Sequence, residues 1–121
     1  MIQAIGQIGI PVKDITRATE FYKTQLGLPL LFTAGNLSFF DCDGVRLMLT
    51  LPESEMFDHP SSVLYFNVSD IQETYAQYKA KGIEFTDEPH VVAEMNGTAT
   101  WMVFFKDTEG NAHAFMSEQP V

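Results

Sequence analysis

The three histidines are the side chains in this sequence best suited to proton transfer or metal binding at neutral pH. His59 lies in a polar, proline-flanked segment, and His90 stands at the start of a predicted strand. His113 directly precedes Ala114 in the last predicted strand, so its side chain points to the sheet face opposite that of Ala114. Because the three share no ligand spacing, the pattern favours ordinary hydrogen-bonded histidines over a metal bound by any pair. His113 is predicted to be a core histidine with one bonded ring nitrogen.

Nucleophilic chemistry has less support than proton transfer. Tyr65 has no evident base beside it, and the sequence contains neither a nucleophile dyad nor a glycine-rich phosphate loop. Cys42 is the single cysteine, so an internal disulfide cannot form. No short motif therefore assigns a catalytic mechanism.

The chain is strongly acidic, with 7 Lys and Arg against 16 Asp and Glu and a formal net charge of -9 at pH 7. Phosphate backbones and anionic membranes are bound by clustered cations, so we expect neither nucleic acid nor a membrane as partner. No apolar run approaches the ~18 residues of a spanning helix. The start MIQAIGQIGIPVK lacks the basic stretch and cleavage site of a secretory signal, and together with the single cysteine it predicts a cytoplasmic location.

An internal near-repeat divides the 121 residues, whose length and 45% hydrophobic content predict one folded domain. Aligning Asp14 with Asp70 also aligns a valine two residues earlier and a tyrosine eight residues later. Residues 41–49 align with 107–115 at an offset about ten residues larger, so the second half is longer between its helix and its last strand. We predict a first module at about 1–51, a linker at 52–62 and a second module at about 63–121.

Each module is predicted to open with a strand, 2–12 or 63–68, and to continue with a helix that ends at Gly27 or Gly82. Asp70 and Glu73 have the spacing of a capping box. Asn96-Gly97 is a two-residue hairpin signal. Short aromatic and β-branched runs predict further strands at 37–40, 45–51, 91–95, 99–105 and 111–116.

The doubled pattern, with VKDITRATEFYKTQLGL in the first half and WMVFFKDTEGN in the second, resembles the vicinal oxygen chelate superfamily. That superfamily includes lactoylglutathione lyases (glyoxalases), extradiol dioxygenases and bleomycin-resistance binding proteins. The resemblance implies an α+β fold of two tandem βαβββ modules that form curved half-barrel sheets. It also implies a homodimer, since members of this length usually dimerise.

The resemblance further implies four metal-ligand positions, one in the first and one in the last strand of each module. Counted from the shared motifs, these positions fall on Gln7, Met48, Val63 and Ala114. Only Gln7 offers an oxygen donor, and Met48 offers one soft thioether to a hard cation. We therefore expect neither a metal nor another cofactor in this chain.

Strand alternation then predicts the side chains that line the concave face. They are mostly apolar with a few polar groups, which is typical of a small-molecule pocket and equally of a filled core or a dimer interface. Arg46 is the one charge among them and could anchor an anionic ligand; the alternatives are a salt bridge or an extended side chain that reaches solvent. The predicted pocket residues are Gln7, Arg46, Met48, Thr50, Val63, Tyr65, Asn67, Met102, Phe104, Ala114 and Met116.

Two functions follow from these expectations. The first is a metal-free small-molecule-binding protein, similar to the bleomycin-resistance members, whose acidic surface could attract a cationic drug-like molecule. The alternative is a glyoxalase-like metal-dependent lyase or isomerase, or a dioxygenase, with an atypical metal site that uses Gln7. The sequence favours the first.

Overall fold

The computed structural model describes residues 1–121 and shows two compact units, unit 1 at Met1–Ser61 and unit 2 at Ser62–Val121. Each unit has one curved sheet and one helix that contacts it. The fold is α+β with two βαβββ modules, which confirms the predicted class. The second module has one further strand of two residues.

Unit 1 has four strands in the order β1-β4-β3-β2, with β1 parallel to β4 and the other pairs antiparallel. A turn of 3-10 helix follows the last strand, within the segment predicted as a linker. The elements in chain order are β1 Gln7–Pro11, α1 Ile15–Glu20, a π-helical turn Phe21–Gln25, β2 Leu30–Ala34, β3 Leu37–Cys42, β4 Val45–Thr50 and the 3-10 turn Glu55–Phe57.

The first helix begins at Asp14, whose carboxylate accepts a hydrogen bond from the backbone N–H three residues later at 3.0 Å. Its last turn widens, and the N–H of Leu26 donates to the carbonyl of Phe21 five residues back. The helical spacing of Ile15, Ala18, Tyr22 and Leu26 predicts an apolar stripe; the last three are buried and Ile15 is half-buried. The helix thus packs one apolar stripe against the sheet.

Unit 2 has the strand order β5-β9-β8-β6, and β7 pairs with the first half of the long strand β8. The β7–β8 turn has positive φ at both Asn96 and Gly97, as a type I′ hairpin requires. The elements are β5 Tyr65–Asn67, α2 Ile71–Ala80, β6 Glu84–Phe85, β7 His90–Met95, β8 Thr98–Lys106 and β9 Ala112–Pro120.

The start of α2 confirms half of the predicted capping box. Asp70 accepts a hydrogen bond from the backbone N–H of Glu73 at 3.0 Å. The Glu73 carboxylate accepts instead from the side-chain amide of Gln77, also at 3.0 Å. The reciprocal half of the box is absent because an i,i+4 partner on the helix surface takes the glutamate.

The two cores differ in how extensively their aromatic rings contact one another. In unit 1, fully buried aliphatic residues of the sheet, including Ile10 and Leu49, accompany two fully buried rings, Tyr22 and Phe40, whose centroids are 6.1 Å apart. In unit 2 the rings form a larger connected cluster: Phe105 and Phe115 stack with ring centroids 4.7 Å apart, and both also contact Phe66 and Phe85. Unit 2 therefore depends on ring packing, which contributes large apolar area per residue.

Some predicted element boundaries were wrong, for identifiable reasons. The first strand begins at Gln7, not at residue 2, because its partner β4 begins only at Val45 after a turn. β2 was not predicted because four of its five residues are exposed, so it lacks alternation. β6 is too short to leave a pattern. None of the helices has the length and hydropathy that crossing a membrane requires.

Candidate functional site

One face of the unit 1 sheet is turned away from the helix and has a mixed polar and apolar surface, which we call the open face. Gln7 and Gly9 of β1 lie beside Arg46 and Met48 of β4 in register, so their side-chain positions share this face. Thr50 continues the same row along β4. Of the intervening residues, Ile10, Leu47 and Leu49 are buried on the helix side and Ile8 is half-buried.

The open face forms the floor of a cavity of about 500 Å³. A volume of this size is in the range of sites for small organic molecules. Its remaining wall comes from the segment after β4, which was predicted only as a linker. The lining residues are Gly9, Pro11, Leu37, Met48, Thr50, Pro52, Glu53, Phe57 and His59.

The cavity lies beside a row of three connected polar and sulfur-bearing side chains. The Arg46 Nε donates to the Gln7 Oε1 at 2.8 Å. The Gln7 Nε2 in turn donates to the Met48 Sδ at 3.4 Å, and Met48 lines the cavity. The side-chain amide of Gln7 is thus oriented by neighbours on both sides, with its oxygen directed at a guanidinium.

The rest of the Arg46 guanidinium rests on an aromatic support. Its Cζ lies 5.0 Å from the centroid of the Phe39 ring, and Phe39 stacks on Phe32 with centroids 4.4 Å apart. Asp41 stands opposite Arg46 in the β3–β4 register, but its Oδ1 accepts from the Gly44 N–H at 3.2 Å. Arg46 is exposed and forms no ion pair, so the predicted salt bridge is not formed and the side chain reaches solvent.

His59 contributes an imidazole ring to the cavity wall. Its Nδ1 lies 2.9 Å from the carbonyl oxygen of Pro60. A carbonyl can only accept, so Nδ1 is the donor in this contact. Glu53 adds an exposed carboxylate to the same wall.

Two rings cover part of the face on which the predicted pocket residues of unit 2 lie. Tyr65, Ala114 and Phe104 are direct neighbours across β5, β9 and β8. The Tyr65 and Phe104 rings meet edge to face at 6.2 Å, and Ala114 between them is fully buried. This face therefore has little room at the position of Ala114.

The adjacent row of the same face contains the other predicted residues of unit 2. Asn67, Met116 and Met102 are register neighbours, and His90 of β7 lies beside Met102. The His90 Nδ1 is 2.7 Å from the carbonyl of Glu88, which makes it a donor there. Val63, the remaining predicted residue, precedes β5 and is 39% exposed.

His113 is buried in the aromatic core and not at a site. The backbone N–H of Leu64 donates to its Nδ1 at 3.2 Å, and its ring meets Phe66 and Phe105 edge to face. Burial lowers the pKa of His113 below its ordinary value of 6.5, against a smaller upward effect of Asp107. A ring that accepts at Nδ1 is neutral, which confirms the predicted core histidine.

The donor set does not fit the metal site that the resemblance implies. Val63 and Ala114 have no donor atoms, Met48 has a thioether, and the Gln7 oxygen already accepts from a cation. The structure contains no group of three or more His, Cys, Asp or Glu side chains placed to hold an ion. A divalent metal at Gln7 would also lie next to the Arg46 guanidinium, which repels it.

The sequence alone missed the contribution of the linker to the cavity. Pro52, Glu53, Phe57 and His59 come from a segment whose polar, proline-rich composition predicted a simple connection. One signal was available, since Met56-Phe57 is an apolar pair inside that polar stretch. Of the predicted residues, Met48 and Thr50 line the cavity directly.

Comparison with known proteins agrees with this architecture. The family model of the Glyoxalase/Bleomycin resistance protein/Dioxygenase superfamily matches residues 4–115. Two Bacillus subtilis (strain 168) proteins are similar in sequence. "Uncharacterized protein YurT" is 30% identical over 125 residues, with 83% of this chain and 87% of that protein covered. "Uncharacterized protein YraH" is 26% identical over 119 residues, with 87% and 91% covered.

Solved structures show the same fold at lower identity. A member of the Glyoxalase/bleomycin resistance protein/dioxygenase superfamily from Sphaerobacter thermophilus has a TM-score of 0.79 at 22% identity, covering 96% of this chain and 98% of that one. Lactoylglutathione lyase from Agrobacterium tumefaciens has a TM-score of 0.74 at 21% identity, covering 96% and 94%. At these identities the likeness concerns the fold.

Proposed function

Because the chain belongs to the Glyoxalase/Bleomycin resistance protein/Dioxygenase superfamily, we propose that it is a small-molecule-binding protein that does not use the family's metal site. In this respect it is similar to the bleomycin-resistance-type members. The ligand occupies the cavity on the open face of unit 1, between the sheet and the segment that follows β4. The proposal assigns recognition, and no chemical step, to this site.

One observation carries the proposal: a cavity of about 500 Å³ lies on the face that includes the ligand positions Gln7 and Met48, while those positions lack a set of metal donors. The walls are largely apolar, with Leu37, Pro11 and Phe57 among them. Burial of apolar ligand surface supplies affinity there, and the few polar groups supply orientation.

We extend the proposal to a homodimer in the cytoplasm. Large apolar side chains remain exposed on the single chain, among them Met95 at 72% and Phe57 at 54%. Burial of such side chains against a second copy of the chain would stabilise a dimer. Size-exclusion chromatography with light scattering tests this part, and a monomer at micromolar concentration would contradict it.

The direct test of the proposed function measures metal and ligand dependence together. Elemental analysis of the purified protein is expected to find no stoichiometric Ni, Mn, Zn or Fe. The melting temperature should be unchanged by added metal or by chelator. Small organic molecules should raise it, since a ligand that binds only the folded state stabilises it. A stoichiometric metal that chelation removes with loss of stability would instead favour the metal-dependent lyase or dioxygenase.

A Gly9→Val variant tests the cavity itself. A Cβ at Gly9 would lie 3.9 Å from the Met48 Cε, at ordinary contact distance, so a larger side chain projects into the cavity without a backbone clash. The variant should fold normally and lose ligand-induced stabilisation. Gly6→Val is the matched control, because Gly6 has nothing within 4 Å of an added Cβ and does not line the cavity. Equal ligand response in both variants would place binding elsewhere.

A further inference from the structure

We propose that Arg46 anchors an anionic group, so that the cavity takes small organic acids: molecules with one carboxylate and a compact apolar body. This inference rests on the proposed function and names the ligand class of the same site. The negative net charge of the chain would instead favour a cationic ligand.

The first support is the way in which the guanidinium is held. Its Nε is fixed by the Gln7 Oε1 at 2.8 Å, and its plane is supported by the Phe39 ring at 5.0 Å. Phe39 is itself held by stacking on Phe32. An arginine fixed in this way loses less conformational entropy when a ligand binds than a freely moving one.

The second support is that the two terminal nitrogens of Arg46 have no acceptor within the protein. The Nε bond to Gln7 is the only side-chain hydrogen bond of Arg46, and the guanidinium forms no ion pair. Asp41, the nearest candidate by register, directs its Oδ1 to the Gly44 N–H. Two parallel N–H donors on a planar cation match the two oxygens of a carboxylate.

The third support is position. Arg46 is two residues before Met48 on the same face of β4, which corresponds to about 7 Å along the strand. Met48 and Leu37 line the cavity, so an acid bound to Arg46 can place its apolar body against them. Glu53 follows the far end of β4 and would repel a carboxylate there. The two charges therefore orient the ligand with its anion at Arg46.

The net charge of -9 does not oppose this geometry strongly. Charges beyond about 8–10 Å are screened at physiological ionic strength, whereas a hydrogen-bonded contact is not. The acidic surface lowers the rate at which an anion arrives more than it weakens the bound pair. A measurable consequence is that binding should become faster as salt is raised.

The same guanidinium occupies the electrostatic role that a metal has in the enzymes of the superfamily. It places a positive charge on the oxygen of Gln7, the one metal-ligand position that retains an oxygen donor. A ligand oxygen that enters this region meets N–H donors from Arg46. Unlike a metal, arginine does not lower the pKa of a bound water, so it favours binding without hydrolysis or hydration.

The test uses acids with three apolar bodies, hexanoate, 3-phenylpropionate and indole-3-acetate, each compared with its primary amide and the amine of matching body. Affinities are measured by calorimetry. We expect each acid that binds to have an affinity at least about tenfold higher than that of its amide. A charge-assisted hydrogen bond contributes a free energy that corresponds to a ratio of about this size. The amine should bind most weakly.

Variants of Arg46 separate the anchor from the cavity. Arg46→Met should bring the acid-to-amide ratio to about one while the amide affinity is retained, and Arg46→Lys should keep part of the preference. Lys106→Met is the control, because it removes an exposed cation of unit 2 and should leave the ratio unchanged.

The outcomes distinguish the two proposals. If amides or amines bind as tightly as the acids, or if Arg46→Met keeps the preference for acids, the anion anchor is wrong and the small-molecule-binding function stands. If none of the nine compounds binds at millimolar concentration, the inference and the cavity-binding function both fail.

Discussion

The two modules have the same fold and treat the sheet face opposite the helix in different ways. Unit 1 leaves this face open, with a cavity whose edge carries a guanidinium, an amide and a thioether in contact. In unit 2 the Tyr65 and Phe104 rings converge above a buried Ala114. The same fold thus leaves this face open in one half and places two rings against it in the other.

The difference extends to the cores on the helix side. Unit 2 surrounds Phe105 with rings from Phe66, Phe85, His113 and Phe115. Unit 1 has a smaller group of contacting rings, Phe21, Tyr22 and Phe40, beside its buried aliphatic residues. We interpret unit 2 as the half specialised for stability and unit 1 as the half specialised for ligands.

The largest expected effect comes from removing the central ring of unit 2. Phe105→Ala should lower the free energy of unfolding by about 3–5 kcal/mol, because a fully buried ring is replaced by a cavity. Phe32→Ala, on the open face and 48% exposed, should cost about 1 kcal/mol or less. Urea unfolding measures both, and equal losses would break the proposed division between the units.

A matched pair of glutamate substitutions sharpens the same comparison. Ala114→Glu buries a carboxylate under two rings and should cost about 3 kcal/mol or more. Met48→Glu places the same group at the equivalent position of unit 1, half-buried and near Arg46, and should cost about 1 kcal/mol. Thermal and urea unfolding give the losses of stability. Equal losses for Met48→Glu and Ala114→Glu would show that position 48 is as closed to solvent as position 114.

The aromatic core also predicts a pH dependence. Burial lowers the pKa of His113, so the folded protein resists a proton that the unfolded chain accepts near pH 6.5. Its contribution to stability is complete above pH 6.5 and is lost as pH falls below it, with a slope of at most about 1.4 kcal/mol per pH unit for one proton. Protonation would also break the bond from the Leu64 N–H.

The measurement compares urea unfolding between pH 7.5 and 5. His113→Gln should reduce the slope, although it lowers stability at every pH because it disturbs ring packing. His59→Gln, at an exposed position, is the control and should keep the wild-type slope. If the two variants have equal slopes, His113 is not the titrating group.

Several features of the fold could be predicted because their causes are local. The stripe of Ala18, Tyr22 and Leu26 and the Asn96-Gly97 turn depend on neighbouring residues, and the structure confirms them. The cavity could not be predicted, because it depends on how residues 52–59 fold back onto the open face. That arrangement is a long-range packing result with no periodic pattern.

The contacts of the Arg46 side chain also could not be predicted from the sequence. Alternation correctly placed it on the face opposite the helix, and the same reasoning left open a salt bridge or an anion anchor. Its orientation depends on Gln7, 39 residues earlier in the chain, and on the Phe39 ring. Sequence spacing cannot show which of several neighbours a long side chain will contact.

The smallest expected effect concerns the single cysteine. Burial, together with the nearby carboxylates of Asp41 and Asp43, raises the pKa of the Cys42 thiol above its ordinary value of 9.0. Little thiolate is present at pH 7, so Cys42 should react with iodoacetamide several-fold more slowly than a free thiol. Mass spectrometry gives the rate, and a rate equal to that of glutathione would contradict the expectation.

The most direct test of the account is a ¹⁵N–¹H titration of the protein with 3-phenylpropionate and its amide in the presence of EDTA. We predict saturable shifts at Gly9, Met48 and Thr50 with either compound, unchanged by the chelator. Shifts confined to Tyr65, Phe104 and their neighbours in unit 2, or shifts that vanish when EDTA is added, would contradict the assignment of a metal-independent site to unit 1.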